Sequence, residues 1–307
     1  MIIAARPAHP RVRPDKHITE RDLPAGALPG DTARAWRAPR SLAGSTAMST
    51  FTNPLKERLK EAEPLFGLWL SMGSETAAEA LAHAGFDWLL IDMEHTPNDS
   101  ADTIAQLRAI AAAHLPTEPV VRLPDSEPWL VKHVLDAGAR TVMFPNVASA
   151  EEAARAVSLT QYPDARTPGG QRGVAGVVRA AAYGMRRDYL QGANAQIATI
   201  VQIESAAALA EVEKIAQVPG VDCLFVGPAD LAASLGHLGD SKHPDVVAAV
   251  QRIVAAAREA GVAAGIFAMD AAAARQYREM GFSFIALAAD VIWLVRATRQ
   301  ALQEARS

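Results

Sequence analysis

Asp87-Trp88-Leu89-Leu90-Ile91-Asp92-Met93-Glu94-His95 opens on an apolar run and closes on two acids and an imidazole. A run this short, apolar at consecutive positions and bounded by polar residues, reads as a strand buried on both faces, as in a parallel sheet. Seven other stretches read the same way. The strands are predicted at Leu65–Met72, Trp88–Glu94, Pro119–Leu123, Thr141–Val147, Ile197–Glu204, Asp222–Val226, Ala263–Ala268 and Phe282–Ala288. Between and after them lie Ala-, Leu-, Glu- and Arg-rich stretches at 75–84, 100–113, 127–137, 149–158, 205–217, 245–260, 271–280 and 291–305, which favour helix. Eight βα units in about 240 residues predict an α/β fold of the (β/α)8 TIM-barrel class, closed by right-handed crossovers. The competing architecture, an open doubly wound sheet, would want a GxGxxG after its first strand, and none stands there.

In such a barrel, catalytic groups sit at the C-terminal ends of strands. The polar residues collect there: Asp92, Glu94 and His95 end the second strand, Arg122 the third, Gln202 and Glu204 the fifth, and Asp230 follows the sixth.

Composition bounds the rest. Half of the 307 residues are hydrophobic and 21% are charged, which suits a globular chain. The single Cys223 excludes an internal disulfide framework and multi-cysteine metal sites, and favours a cytoplasmic setting. No apolar run approaches a membrane span, the longest candidate at 283–295 being interrupted by Asp290. The net charge of −4, without a basic stripe, gives no sign of nucleic acid; a small-molecule partner is expected. Residues 1–47 carry prolines at 7, 10, 14, 24, 29 and 39 and no apolar period, so residues 1–50 are expected to form a disordered extension ahead of a barrel domain at 51–307. That leader holds eight Lys/Arg against four acids, a balance of +4 that leaves −8 on the remainder. Met48 is an alternative start.

The strand-end residues define a chemistry. Gln202 and Glu204, two apart, point to one side of their strand while Ile203 points to the other. Val226-Gly227-Pro228-Ala229-Asp230 turns from strand through Gly-Pro into a short helix, leaving backbone N–H groups near 229–230 for an anionic ligand such as a carboxylate. Carboxylates from adjacent strands, with no thiolate among them, form a hard oxygen site for Mg²⁺, Mn²⁺ or a similar divalent ion such as Co²⁺. The ordinary alternatives are a helix cap for Glu204 and a loop end for Asp230. Asp92 and Glu94 lie close enough to orient His95 as a proton acceptor, although a strand-end histidine also serves as a plain hydrogen bonder. Arg122 brings a permanent cation, able to stabilise an enolate or bind a carboxylate, or simply to pair with Glu94. Schiff-base chemistry needs a lysine in the barrel. Lys56, Lys60, Lys132, Lys214 and Lys242 all fall on predicted helices or loops, so metal-stabilised enolate chemistry is favoured. Cys223 begins a strand at the opposite end, and no GxSxG elbow is present.

The ordered set Asp87 to His95, Val121-Arg122, Gly138-Ala139-Arg140, Gln202-Ile203-Glu204 and Val226-Gly227-Pro228-Ala229-Asp230-Leu231 closely resembles the HpcH/HpaI aldolase family, the class II pyruvate aldolases of the 4-hydroxy-2-oxoheptanedioate and 2-keto-3-deoxy-sugar-acid type, across residues 54–300. The resemblance implies a barrel of the phosphoenolpyruvate/pyruvate type. It also implies a reversible, divalent-metal-dependent cleavage of a 4-hydroxy-2-oxo acid to pyruvate and an aldehyde, in sugar-acid or aromatic catabolism. By resemblance Glu204 and Asp230 are the metal ligands, and His95 is the base, acting directly or through bound water, with Asp92 orienting it. Arg122 stabilises the enolate, and Glu94 supports from behind. Gln202, Gly227, Pro228, Ala229 and Asp230 contact substrate, and Trp69 walls the pocket. Asp136 matches an acid supplied by a neighbouring subunit of a hexamer, a trimer of dimers with a swapped C-terminal helix. Two departures concern the acceptor aldehyde: Ala175-Gly176 replaces the family's usual Gly-Ser after Gly173-Val174, in a loop expected to shape the far side of the pocket, and Phe267 brings extra bulk near the seventh strand. The alternatives are a CoA-ester lyase of the citrate or malyl-CoA lyase type, which wants a basic groove, and a non-catalytic keto-acid-binding barrel.

Overall fold

In the computed structural model, residues 51–61 and 63–307 are described; the extension expected over 1–50 lies outside the described residues. Eight parallel strands close in chain order into a barrel: β1 (Leu65–Leu70), β2 (Trp88–Asp92), β3 (Glu118–Arg122), β4 (Thr141–Phe144), β5 (Ala198–Ile203), β6 (Cys223–Val226), β7 (Ala263–Ala268) and β8 (Phe284–Ala289). Every predicted strand is present, but most stop short of their predicted C-terminal end. Glu94 and Glu204 stand just past β2 and β5, where the chain has left the hydrogen-bonded ladder. The helix predicted at 205–217 is broken into Ala206–Ala210 and Val212–Ala216, because Glu211 between them takes a non-helical turn (φ −110°, ψ 10°). Two elements between β4 and β5, the short turn Arg179–Gly184 and the helix Tyr189–Gln196, were not predicted. Ala182 and Tyr183 in the first adopt left-handed backbone, which destroys any helical period over the stretch.

Two hydrophobic layers hold the fold. The outer one lies between sheet and helices and takes alternate strand residues such as Leu68, Leu89, Val121, Val142, Val201 and Leu224 against helical Leu107, Val131, Leu159 and Ile253. The inner one fills the barrel with Trp69, Trp88, Met143, Ile200, Phe225 and Phe284. Trp88 stacks on Phe284 with ring centroids 4.0 Å apart. Room for that stack comes from Gly67, the register partner of Trp88, where a Cβ would lie 2.0 Å from the indole. The floor of the barrel is closed by the short helix Pro54–Arg58. Its Leu55 is fully buried in the inner layer, and Lys56 donates to the Ile197 carbonyl and to Asp222 (2.6 and 2.8 Å). With its floor plugged and its middle filled, the barrel opens, among the described residues, at the strands' C-terminal ends.

Gly67→Ala is expected to destabilise the fold by about 1–3 kcal/mol or more through overpacking against Trp88. Urea unfolding of the variant beside the parent, with m unchanged, checks this.

Candidate active site

The mouth of the barrel is a cavity of about 1240 Å³, walled by Trp69, Ser71, His95, Arg122, Gln202, Phe225 and the run Gly227-Pro228-Ala229-Asp230, and on its outer side by Lys242, Phe267 and Asp270. The sequence-predicted residues meet here with the exception of Asp136.

The parallel register sets Asp92 directly beside Arg122. The guanidinium clasps that carboxylate with two bonds, Nε to Oδ1 at 2.8 Å and Nη2 to Oδ2 at 2.7 Å. Its remaining edge faces Glu94 Oε2 (3.0 Å) and, at 3.5 Å, Gln202 Oε1. Arg122 and Asp92 are 7% and 2% exposed, so this is a buried, forked pair whose geometry is fixed. Asp92 was expected to orient His95; its carboxylate instead anchors Arg122, and the acid nearest the imidazole is Glu94, with Oε1 3.9 Å from Nε2. The imidazole itself is largely exposed at the cavity wall. The Asp92 backbone is tied down from outside, its carbonyl accepting from the Thr96 hydroxyl and from Asn98 Nδ2.

Glu204 does not cap the following helix; Ser205 does. The Glu204 carboxylate is buried, accepting from the Asn146 amide N–H (2.8 Å) on Oε1 and from Gln202 Nε2 (2.8 Å) on Oε2. A Cβ at position 227 would fall 2.5 Å from that Oε2, so glycine there is a condition of the carboxylate's position. Burial, reinforced by the charges of Glu94 and Asp230 and opposed by the Asn146 amide, pushes the Glu204 carboxyl up to about 7. Burial also raises Glu94, against the attraction of Arg122. Asn146 is the residue that sequence reasoning missed. It sits just past β4 with left-handed backbone (φ 53°), presenting its N–H to Glu204 and its side chain to Glu94 (3.3 Å). An asparagine following Phe144-Pro145 at a strand end, one of the few residue types that adopts this conformation readily, was the available signal.

Asp92 and Glu94 thus contact the guanidinium directly, while Glu204 and Asp230 add their charge beside Glu94. Glu204 and Asp230, oxygen donors of like charge at a partly desolvated mouth, fit a hard divalent cation, which would offset the burial, and the lesser repulsion, that raise Glu204. Ala229 and Asp230 occupy the first turn of the helix Pro228–Ser234, opened by Pro228, with exposed side chains at the cavity wall. Trp69 is both wall and core: it faces the cavity, makes tilted or edge contacts with Trp88, Phe225 and Phe267, and lies 5.4 Å beneath the Arg122 guanidinium. Phe267 does reach the cavity wall. Lys242, expected on a loop, also lines it, whereas Cys223 is buried inside the barrel with its thiol held well above the ordinary range by desolvation.

Asp136 ends the helix Pro128–Asp136, which runs from the mouth back toward the strands' N-terminal ends. Its carboxylate accepts from Arg172 (2.9 Å), a fully buried guanidinium over the Tyr162 ring. The loop at 169–176, expected to shape the far side of the pocket, lies with Arg172 at this opposite end; none of its residues walls the cavity of its own chain.

A family model for HpcH/HpaI aldolase/citrate lyase matches residues 65–297. A hydroxypyruvate/pyruvate aldolase of Paraburkholderia phytofirmans is 78% identical over 260 residues, covering 85% of this chain and 100% of that protein. A 4-hydroxy-2-oxo-heptane-1,7-dioate aldolase of Shigella sonnei is 44% identical over 246 residues, 80% of this chain and 92% of that one. The crystal structure of an HpcH/HpaI aldolase/citrate lyase family protein from Burkholderia cenocepacia superposes with a TM-score of 0.83 at 70% identity, covering 83% of this chain and all of that one.

Because the folded chain holds Glu204 protonated up to about pH 7, that group's contribution to stability is present in acid, below its ordinary value, and is lost as pH rises through about 7. Glu204→Gln removes the charge but sets an NH2 against one of the two N–H donors, so the metal-free protein at pH 8 is expected to gain up to about 3 kcal/mol less the roughly 1 kcal/mol of one lost hydrogen bond. Thermal unfolding in the presence of a chelator measures it.

Proposed function

This chain belongs to the HpcH/HpaI aldolase/citrate lyase family, and from that premise we propose that it is a class II aldolase, reversibly cleaving a 4-hydroxy-2-oxo acid to pyruvate and an aldehyde. The observation that carries the reading is the convergence of Arg122, His95 and Asp230 on one open cavity, with the buried Glu204 carboxylate held by the lining residue Gln202, and without a strand-end lysine to form an imine. Bound between Glu204 and Asp230, Mg²⁺, Mn²⁺ or a related divalent ion would act as a Lewis acid on the 2-oxo group.

The chain's own residues do the rest. The N–H groups of Ala229 and Asp230, in the first turn of a helix and unpaired within it, receive the pyruvate carboxylate. Arg122, held in one orientation by Asp92, turns its Nη1 edge toward the cavity and stabilises negative charge developing on the enolate oxygen. Gln202, fixed by its bond to Glu204, offers its carboxamide oxygen beside that edge. In the cleavage direction His95 accepts the proton of the C4 hydroxyl as the C3–C4 bond breaks and returns it to C3 of the enolate to give pyruvate; in synthesis it removes a proton from the pyruvate methyl and returns it to the new C4 alkoxide. Trp69, Phe225 and Phe267 form an apolar wall on the side where the aldehyde leaves. The alternative of a CoA-ester lyase asks for a basic groove, and among the described residues the cavity wall adds only Lys242 to an Arg122 already engaged by two acids.

The same reading includes assembly. Among the described residues of one chain the imidazole of His95 has no close hydrogen-bonding acid, while Asp136 stands at the opposite end of the barrel beside an arm with exposed Val174, Val177 and Met185. The last helix, Asp290–Arg306, buries only Asp290 in its own chain and exposes Val291, Leu294, Val295 and Leu302. Both surfaces suit contacts between copies in a homo-oligomer, a hexamer built as a trimer of dimers, with Asp136 of one subunit supporting His95 of another.

Pyruvate in D₂O is expected to exchange its methyl protons in the presence of Mg²⁺ or Mn²⁺, followed by NMR. Chelation, Glu204→Gln or Arg122→Lys should each lower the rate by at least about 100-fold, the scale of losing one preorganised charge contact. Exchange that survives chelation and Glu204→Gln would refute the metal-dependent reading, and folded protein with no exchange under any metal would favour the CoA-ester lyase or a non-catalytic barrel. Assembly has its own test: mixing inactive His95→Ala and Asp136→Asn subunits should restore activity in hybrid oligomers, and no restoration after verified subunit exchange would refute action in trans.

A further inference from the structure

The connection from the helix Pro228–Ser234 to the helix Pro244–Ala260 reads Leu235-Gly236-His237-Leu238-Gly239-Asp240-Ser241-Lys242-His243 and leads into Pro244-Asp245. Glycines 236 and 239, both with positive φ (86° and 83°), fold it back on itself. His237 and His243 thereby come face to face, with ring centroids 3.4 Å apart and planes 14° from parallel. Both point a ring nitrogen at the same carboxylate oxygen, His237 Nε2 lying 3.0 Å and His243 Nδ1 3.5 Å from Asp245 Oδ2. Among the described residues this is the one group of three His, Cys, Asp or Glu side chains whose ligand atoms all lie within 4.8 Å of one another.

Capping accounts for part of this. His243 is the N-cap of the helix that follows, its Nδ1 accepting the Asp245 N–H at 3.3 Å. Capping does not account for His237, which comes from the far side of the loop, nor for two imidazoles converging on one carboxylate. Two imidazole nitrogens and a carboxylate oxygen are the donor set of a borderline-soft ion of the Zn²⁺ class, held tetrahedrally with water or another ligand in the fourth position. The nitrogen–oxygen separations already approach those between neighbouring ligands on such an ion. Coordination requires the stacked rings to fan apart by side-chain rotation, with the long capping bond to Nδ1 exchanged for the metal. All three groups are reachable from solvent, with side chains 23%, 34% and 69% exposed.

We propose that His237, His243 and Asp245 form a second metal site of zinc class, separate from the carboxylate pair Glu204 and Asp230, that clamps the loop at the mouth of the cavity. The two residues before His243 are Ser241 and Lys242, which line that cavity, with Asp270 of the loop after β7 in the same wall. An ion joining His237 to His243 closes the loop on either side of these two residues and fixes where Lys242 stands. The site does not depend on the aldolase reading.

The test is calorimetric titration of Zn²⁺ into full-length, chelator-treated Glu204→Gln protein, where the carboxylate pair is disabled. One equivalent is expected to bind with micromolar or tighter affinity. Adding His237→Ala, which leaves the helix cap intact, should weaken it by more than the roughly 10–100-fold that losing an outer-shell partner costs. His243→Asn, which keeps a capping oxygen, should do the same, with circular dichroism verifying the fold of each. Binding in only the millimolar range, or equal affinity with and without His237, would overturn the proposal. Loss of Zn²⁺ binding on His237→Ala alongside undiminished metal-free pyruvate exchange in the parent would uphold this site while refuting the metal-dependent aldolase reading.

Discussion

The forked pair between Arg122 and Asp92 is the interaction around which the mouth of the barrel is organised. A guanidinium desolvated at a strand end must have its charge met, and the register of β2 against β3 delivers an acid directly beside it. Breaking such a buried pair by removing one partner costs about 3–5 kcal/mol, because the other charge is left uncompensated. The pair also decides orientation. With Nε and Nη2 engaged by Asp92, the Nη1 edge is the one left to face Glu94, Gln202 and the cavity.

The carboxylates on the other side of the mouth are under the opposite constraint. Glu204 is buried, among the described residues without a cationic partner in bonding contact, held by an amide of Asn146 and the carboxamide of Gln202, and close to the charges of Glu94 and Asp230. An isolated protein would relax such crowding by moving a side chain away. Here Gly227 lets the backbone of the next strand end approach to where a Cβ would collide with Glu204, and the bonds from the Asn146 N–H and Gln202 hold the carboxylate in place. The electrostatic cost is a property of the folded mouth, and it is the cost that a bound cation would offset.

Much of the site was legible before the fold because strand ends are legible. Glu94, Arg122, Gln202 and Glu204 announce themselves as polar residues that terminate apolar runs, and a barrel brings all such ends to one rim. Asp92 was equally visible, but its partner was not. Sequence proximity suggested His95, three residues away, whereas strand register gave it Arg122, thirty residues away, since a side chain on a strand meets its neighbour across the sheet more closely than one along the chain. Asn146 escaped notice for a related reason: its contribution is a backbone N–H aimed by a left-handed turn, which residue type permits but does not announce. The same limit hid the meeting of His237 with His243, which depends on two glycine turns between them.

The sequence by itself determined the class of fold, since eight short apolar runs alternating with helical stretches have few ways to bury both faces of every strand. It also determined which residue types stand at the rim. Tertiary structure alone decided the pairing: which acid holds the arginine, which acids are left to repel one another, and which loops reach the cavity. It decided, too, that Asp136 and the arm at 169–176 lie at the far end of their own barrel. The physical reason is that local propensity and periodicity act over a few residues, whereas charge pairing and close packing act through space between segments that only the closed sheet brings together.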